Sequence, residues 1–150
     1  MDKKIWMIIV LFIGFFLLIP FFRNEKNVSY AEIEKVLLPY TKELEPKDSS
    51  FIKKNYQVND KDVKHVLVYG SKSAMEASEI VLFEGTEENL AILKKALEER
   101  IQKQIQIFGS YEPKQTEILK KAIVIEKGKF VMLLIGENAQ QIEKDVLALF

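Results

Sequence analysis

The sequence predicts an α+β fold, in which a mainly antiparallel sheet of about four strands is packed with helices and preceded by one transmembrane helix. The transmembrane helix is indicated by residues 5–22, eighteen positions without a charged side chain. Helices in the rest of the chain are indicated by apolar residues that recur every three or four positions and so share one helix face. Strands are indicated by two pairs of short β-branched segments, each pair separated by turn residues.

The apolar run at residues 5–22 is expected to be a membrane anchor, with the lipid bilayer as its partner. Eighteen helical residues span about 27 Å, close to the roughly 30 Å hydrocarbon core of a bilayer. A cleaved signal peptide requires small residues at its cleavage site, whereas this run ends in Pro20, Phe21 and Phe22. A lipoprotein signal requires a cysteine, and the sequence has none. A retained signal anchor therefore fits best.

The anchor divides the chain into a tail with the anchor (residues 1–22), a linker (residues 23–28) and a domain (residues 29–150). Two basic residues flank the run on each side, so the positive-inside rule gives no local preference for either orientation. The short N-terminal tail with its two lysines favours a cytoplasmic N-terminus. We therefore expect a single-pass protein of the cytoplasmic membrane whose C-terminal domain lies outside the cytoplasm.

The first part of the domain is predicted to be one helix followed by a loop. Ser29 and Glu32 have the spacing of a capping box, so the helix should begin at about residue 30. Pro39 predicts its end or a kink. Residues 45–50 are rich in Pro, Lys, Asp and Ser, a composition typical of a loop.

Two strands and a long helix are predicted in the middle of the domain. Residues 63–69 are β-branched and alternate, residues 80–83 form the next strand, and residues 70–73 supply turn residues between them. Thr86 is placed to cap a helix that runs to about residue 108, where Gly109 is expected as the C-terminal cap. The apolar stripe of this helix comprises Leu90, Leu93, Leu97, Ile101, Ile105 and Phe108.

The last part of the domain is predicted to contain a short helix, a β-hairpin and a final helix. Pro113 opens the short helix. Strands at residues 122–126 and 129–135 are separated by residues 127–128, a Lys-Gly pair typical of a tight hairpin turn. The second strand ends in six consecutive apolar residues, so it should be central and covered on both faces. Asn138 begins the final helix.

Composition argues against nucleic acid as a partner. Removing residues 1–22 takes away two lysines and one aspartate, which leaves 20 basic and 21 acidic residues in a nearly neutral domain. Binding to phosphate backbones requires an excess of basic residues that this domain lacks. Its cations are almost all lysines, a pattern typical of a solvated surface rather than of a phosphate site.

Three segments of the C-terminal half carry a resemblance to a known family: EIVLFEG at residues 79–85, ALEERIQKQIQIFGSYEP at residues 96–113, and AIVIEKGKFVMLLI at residues 122–135. They resemble bacterial proteins known only as a domain of unknown function. Members of that family are small, membrane-anchored or lipoprotein-like proteins of Gram-positive bacteria. The resemblance implies an exported, anchored domain and supplies no catalytic residue.

The candidate catalytic and metal-binding residues lack the partners that their chemistries require. His65 is the only histidine, and one histidine without cysteine cannot form a zinc site. Ser50 and Lys53 match the Ser-x-x-Lys spacing of penicillin-binding proteins, but the accompanying motifs are missing. Residues 59–62 lack the glycine and glutamate of a calcium loop. The sequence therefore predicts no catalytic residue, no metal and no cofactor.

Arg100 is the only arginine of the predicted domain, and it flanks the apolar stripe of the long helix. Arginine is suited to bidentate pairing with a carboxylate. Arg100 could therefore form an internal salt bridge, for which Glu112 is a candidate partner, or it could contact a ligand or a partner protein. Tyr111 is the second candidate contact for a ligand or partner.

The expected function is that of a membrane-tethered, non-enzymatic interaction module outside the cytoplasm, with another envelope protein as its partner. One alternative is a domain that binds a small ligand or an envelope polymer. A second alternative is a hydrolase with a pair of carboxylates, because such a pair is assembled only in the folded chain. An exposed apolar patch would favour the module, a polar cleft the binding domain, and two facing carboxylates the hydrolase.

Overall fold

The structure is a computed structural model that describes residues 26–150. The predicted anchor at residues 5–22 lies outside the described residues, as does the linker up to residue 25. Among residues 26–150, no helix is both long and apolar enough to span a bilayer.

The described residues form five α-helices and two short 3-10 helices. The α-helices are α1 (Tyr30–Leu37), α2 (Ser49–Tyr56), α3 (Leu90–Phe108), α4 (Pro113–Lys120) and α5 (Ala139–Leu147). The 3-10 helices are Leu38–Thr41, which follows α1, and Asp60–Asp62. The predicted capping box is confirmed, since the Glu32 amide donates to the Ser29 hydroxyl and the Ser29 amide donates to the Glu32 carboxylate.

Five strands form one sheet in which all neighbours are antiparallel. They are β1 (Leu44–Pro46), β2 (His65–Ser71), β3 (Glu79–Glu84), β4 (Ile123–Lys127) and β5 (Phe130–Ile135). Their order across the sheet is β1-β2-β3-β5-β4. The predicted α+β class and antiparallel sheet are confirmed, and the number of strands is five rather than four.

Helices cover both faces of the sheet, so the domain has two apolar cores. On one face, α2, α3 and α4 pack on the odd-numbered side chains of β3, in a core that includes Ile52, Leu93, Leu97, Leu119, Val81 and Phe83. On the other face, α1 and α5 pack on the even-numbered side chains, in a core that includes Ile33, Leu37, Ile142, Val146, Ile80 and Leu82. This alternation follows from the two-residue period of a strand.

The central strands β3 and β5 are buried at every position. For β5 this confirms the expectation drawn from its six apolar residues. Strand β3 differs in one respect, since Glu79 and Glu84 stand at its two ends and are buried along with the apolar residues between them. Each carboxylate therefore requires partners inside the protein.

The prediction of a loop at residues 45–50 was wrong, because most of this segment belongs to a strand and a helix. Strand β1 occupies its first part and pairs with the end of β2, while α2 begins at Ser49. The side chain of Asp48 accepts a hydrogen bond of 2.8 Å from the Phe51 amide and so caps α2. A strand of three residues and a helix of eight are too short to show a clear apolar repeat, particularly in a segment rich in polar residues.

The predicted start of α3 and the predicted position of the β4–β5 turn were also wrong by a few residues. Thr86 does not cap α3, because residues 86–89 form a turn in which the Asn89 side chain accepts from the Thr86 amide, and the helix begins at Leu90. The hairpin turn comprises Gly128 and Lys129, one residue later than predicted, since Lys127 pairs with Phe130. Gly128 has a φ of 56°, the left-handed conformation that glycine adopts without strain.

Replacing Leu133 with Asp should abolish cooperative folding of the domain. Leu133 is fully buried in β5, and a carboxylate there would lose its hydration without gaining a partner. Thermal unfolding followed by circular dichroism measures the effect. The control is Ile92→Asp, which adds the same charge at an exposed position of α3 and should leave a cooperative transition. A stable Leu133→Asp variant would contradict the central position of β5.

Candidate functional site

The ends of β3 carry two buried carboxylates that point to opposite faces of the sheet. Glu79, at the start of the strand, is 3% exposed and lies on the face covered by α3. Glu84, at the end of the strand, is 1% exposed and lies on the other face, where His65 of β2 contacts it. The two sites differ in their partners and in their access to solvent.

Glu79 is held by the one arginine of the described residues. Arg100 of α3 donates through Nε to Oε1 of Glu79 at 3.2 Å and through Nη2 to Oε2 at 2.8 Å. Gln104, one helical turn later, donates to the same Oε2 at 3.3 Å. The third nitrogen of the guanidinium, Nη1, donates to Oδ1 of Asn55 at 2.9 Å. The bidentate pair therefore ties β3 to α3 and, through Asn55, to α2.

Two aromatic rings of α2 enclose the Arg100 guanidinium. Its central carbon lies 5.5 Å from the Phe51 ring centroid and 5.7 Å from that of Tyr56, within the range of cation–π attraction. The Tyr56 ring also packs edge-on against Phe83 of β3. Its hydroxyl is buried and has no hydrogen-bond partner among the described residues. The charge of Arg100 is thus compensated by a carboxylate, an amide and two π faces.

Burial and pairing act on the Glu79 carboxyl in opposite directions. Desolvation raises the pKa of Glu79, because removal from water penalises the ionised form. The hydrogen bonds and charge of Arg100, and the charge of Lys47, oppose that increase. The pKa of Glu79 is raised overall, so the ionised form depends on Arg100 remaining in place.

A cleft of about 390 Å³ opens beside this pair, between the end of β2, the start of β3 and the last turns of α3. Arg100, Glu79 and Gln104 form part of its wall. Lys47 stands on the β1 side and donates to the Glu45 carboxylate at 2.6 Å and to the Ser71 carbonyl at 2.9 Å. The volume lies within the range of about 300–1,000 Å³ that is typical of small-molecule sites.

The charges that line the cleft balance. Three cations and three carboxylates contribute, namely Lys47, Lys72, Arg100, Glu45, Glu76 and Glu79. Two cations are already paired, Lys47 with Glu45 and Arg100 with Glu79. The Glu76 carboxylate accepts a hydrogen bond of 3.0 Å from the Ser71 hydroxyl.

Apolar side chains form the outer rim of the cleft. Ile107 of α3 lines the cleft and is 53% exposed, and Phe108 beside it is buried. The Tyr111 ring packs against the Phe108 ring with a centroid distance of 5.6 Å and is 45% exposed. Met75, in the loop between β2 and β3, is also exposed. Exposed apolar residues beside a polar cleft are typical of a binding surface.

A second cleft, of about 340 Å³, lies on the other side of the β2–β3 loop. It shares Glu76 and Ser78 with the first cleft and is bounded by α4 and the start of α5. The Tyr40 hydroxyl donates to the Asp145 carboxylate and so links the 3-10 helix after α1 to α5. Both clefts thus lie at the same end of the sheet.

Glu84, at the opposite end of β3, is contacted by two lysines and a histidine rather than by an arginine fork. The Lys129 ammonium lies 2.8 Å from Oε1, Nδ1 of His65 lies 2.6 Å from Oε2, and the Lys64 ammonium lies 3.7 Å from Oε1. Desolvation alone would raise the pKa of Glu84, but the hydrogen bonds from Lys129 and His65 and the charges of Lys129 and Lys64 lower it overall. The Tyr30 ring stacks on His65.

The residues singled out in the sequence lie in different places. Arg100 forms an internal salt bridge, as one interpretation expected, but its partner is Glu79 and not Glu112. Tyr111 lies at the outer rim, where its ring packs on Phe108, and it does not line the cleft with Arg100. Their contact with a ligand or partner stays a prediction. Among residues 26–150, no group of three or more His, Asp or Glu side chains is placed to hold a metal ion.

Glu79 and Gln104 are the site residues that sequence analysis missed. The strand was predicted at residues 80–83, which left Glu79 outside it, whereas the observed strand begins at Glu79 and buries it. Gln104 is four residues after Arg100, and both are buried on α3 together with Leu97 and Phe108. Two polar residues one turn apart on a buried helix face are a signal that an internal acid faces them.

Replacing Arg100 with Lys should lower the free energy of unfolding by about 1–3 kcal/mol, because lysine cannot form the bidentate pair and the bond to Asn55 together. Chemical denaturation measures the change. The control is the reverse exchange, Lys95→Arg, at an exposed position of the same helix, which should stay within about 0.5 kcal/mol of the unsubstituted protein. Equal effects of the two exchanges would contradict a structural role for the pair.

Replacing Glu84 with Gln should destabilise the domain at neutral pH but not in acid. The pKa of Glu84 is lowered from its ordinary value of 4.5, so the ionised group stabilises the fold above that value. This contribution is lost as the pH falls through the lowered pKa of the folded state. Unfolding curves from pH 7 to below pH 4.5 should therefore converge for the two proteins, whereas the exposed-site control Glu98→Gln should show no such convergence. A difference that persists unchanged in acid would contradict the assignment.

The comparisons with known proteins identify a family without an assigned activity. The family model described as a domain of unknown function, DUF4358, matches residues 38–136. The matched segment contains all five strands, α2, α3 and α4, and therefore Glu79, Arg100 and Gln104, while α1 and α5 lie outside it. No curated protein and no solved structure matches the chain. The resemblance seen in the sequence is thus confirmed as far as a family of unknown function, and the chain belongs to the DUF4358 family.

Proposed function

We propose that this chain is a membrane-tethered, non-enzymatic binding domain that presents the Arg100 cleft away from the membrane. The anchor is the apolar run at residues 5–22, and the domain lies on the outer face of the cytoplasmic membrane. The resemblance noted in the sequence extends the proposal to a Gram-positive cell envelope.

The observation that carries this proposal is the position of the cleft relative to the point where the chain enters the domain. Lys26 shares a pocket with Gly128 and Lys129 of the β4–β5 turn. The Gly85 amide, just after β3, donates to the Lys129 carbonyl at 2.9 Å. The chain therefore enters at the Glu84 end of β3, whereas the cleft lies at the Glu79 end.

The lengths of the linker and of β3 indicate how the domain would be oriented relative to the membrane. Only four residue steps separate Phe22 from Lys26, so a membrane anchor that ends at Phe22 would hold the Glu84 end within about 15 Å of the membrane. The six residues of β3 separate its two ends by about 17 Å. The cleft would then face outward, where a ligand or a partner of the envelope can reach it.

The pairing of charges supports binding rather than catalysis. A general acid or base must exchange protons with a substrate. Glu79 is bound by Arg100 and Gln104, and Glu45 is paired with Lys47. Two of the three carboxylates that line the cleft are thus engaged in ion pairs with side chains of the domain. The carboxylate hydrolase is therefore the weaker alternative.

The choice between a partner protein and a small or polymeric ligand depends on which part of the cleft is used. The exposed rim of Ile107 and Tyr111 favours an apolar contact with a protein, and the polar interior around Lys47 and Gln104 favours a ligand that enters. We take the interaction module as the leading function and ligand binding as its alternative.

Two measurements on the full-length chain in its native membrane test the proposal. Mass spectrometry should find the N-terminus intact, because the boundary after Phe22 lacks a cleavage signal. Protease added to intact, wall-stripped cells should degrade residues 30–150. Protection until lysis, or a mature chain that begins after residue 22, would contradict the tethered, outward-facing arrangement.

Site-specific photo-crosslinking tests the use of the cleft. A photoreactive residue at position 107 should give discrete crosslinked products in living cells. The same residue at position 92, the other exposed isoleucine of α3, should not, because it lies near the opposite end of the helix. Equal crosslinking at both positions would contradict binding at this end of the domain.

A further inference from the structure

We propose that the Arg100 cleft binds a neutral, polyhydroxylated ligand, a short stretch of a glycan. This inference rests on the proposed binding function, of which it takes the ligand-binding alternative, and it specifies the ligand of the same cleft. It follows from the charge balance of the cleft, its mixture of hydrogen-bonding groups, its apolar rim, and the short neighbouring strand β1.

The charge balance favours a neutral ligand. An anionic group that approached Lys47 or Arg100 would meet the carboxylates of Glu45 and Glu79, which lie at 2.6 Å and 2.8 Å from those cations. A cationic group would likewise compete with Lys47 or Arg100 for the same carboxylates. A charged ligand that binds at Lys47 or Arg100 must therefore displace an existing ion pair, whereas a neutral ligand leaves both pairs intact. The other two charged residues of the lining, Lys72 and Glu76, carry opposite charges, so the cleft has no net charge that would select an ionic ligand.

The polar groups of the cleft match hydroxyls, which both donate and accept hydrogen bonds. An ionised carboxylate has about four acceptor sites, so Glu45 and Glu76 retain capacity beyond the single bonds to Lys47 and Ser71. An ammonium has three donors, and Lys47 uses two of them on Glu45 and the Ser71 carbonyl. The cavity thus retains both donors and acceptors for a ligand's hydroxyls.

The rim supplies the apolar contact that a sugar ring also requires. A pyranose presents C–H groups on one face, and Ile107, half exposed at the mouth of the cleft, offers an aliphatic surface for it. Phe51 is less suitable, because Lys47 and Arg100 lie over its ring at 5.4 Å and 5.5 Å. We therefore assign Ile107 as the residue on which the ligand packs.

The edge of the sheet beside the cleft argues against an extended peptide as the ligand. A peptide that adds to a sheet needs a strand with free donors and acceptors along its edge. Strand β1 has only three residues and ends in Pro46, which has no amide hydrogen. This edge is a poor template for a further strand.

The test uses the full-length chain in lipid nanodiscs and the β-1,4-linked trimer of N-acetylglucosamine as a neutral probe. Titration followed by amide NMR should give saturable shifts at residues 71–79 and 104–108. Ile107→Ala should raise the dissociation constant about fivefold to tenfold by removing the apolar contact. The matched control is Ile92→Ala, which makes the same change at an exposed site of the same helix and should leave binding unchanged.

Three outcomes would overturn the inference: no saturable shift up to about 10 mM probe, equal weakening by the two alanine variants, or stronger binding of a trigalacturonate or a capped tetra-alanine peptide than of the neutral trimer. Failure of this inference is distinguishable from failure of the proposed function. If position 107 crosslinks in cells while the trimer fails to bind, the cleft is a binding site for another class of partner. If neither occurs, the binding function itself is wrong.

Discussion

The buried ion pair between Glu79 and Arg100 is the interaction on which the rest of this domain depends. It joins three elements that are distant in sequence, since Glu79 begins β3, Arg100 lies in α3 and the guanidinium also bonds to Asn55 of α2. Such a pair costs desolvation energy, and removal of one partner of a buried pair typically costs about 3–5 kcal/mol because the other charge remains. The pair therefore fixes how α2 and α3 sit on the sheet, and with them the wall of the cleft.

Coverage of the sheet on both faces explains why both ends of β3 require charged partners. Because β3 is buried at every position, a carboxylate on either of its faces is removed from water and needs a partner within the protein. Glu79 borders the cleft and pairs with the rigid guanidinium of Arg100, whereas Glu84 is contacted by the partly exposed side chains of Lys64, His65 and Lys129. The partners of Glu79 and of Glu84 thus differ between the end of the domain with the cleft and the end at which the chain enters.

The parts of the fold with long periodic patterns could be predicted from the sequence, and the short or polar parts could not. The α+β class, the last strand and the starts of α1 and α4 follow from caps, prolines and apolar spacing. Strand β1 and helix α2 were missed because their signal is brief, although Asp48 was an available helix cap.

The candidate site was even less predictable from the sequence than the short elements of the fold. The sequence marked Arg100 as unusual, but it could not supply Glu79, because that pair joins residues 21 positions apart across a helix and a strand. The hairpin turn lies one residue later than predicted, because Gly128, which adopts the left-handed conformation, belongs to both possible turns and does not by itself decide between them. Pairings that are made only in the folded chain, as well as exact turn positions, depend on geometry that spacing alone does not specify.

A double-mutant cycle on Glu79 and Arg100 tests the central claim most directly. Unfolding free energies would be measured for Glu79→Gln, Arg100→Met and the double variant. If the pair organises the domain, each single change leaves a buried charge without its counter-ion, and the double variant should be more stable than the sum of the single losses predicts, by about 1–3 kcal/mol. Additive losses, within about 0.5 kcal/mol, would show that the two side chains act independently and would contradict the account.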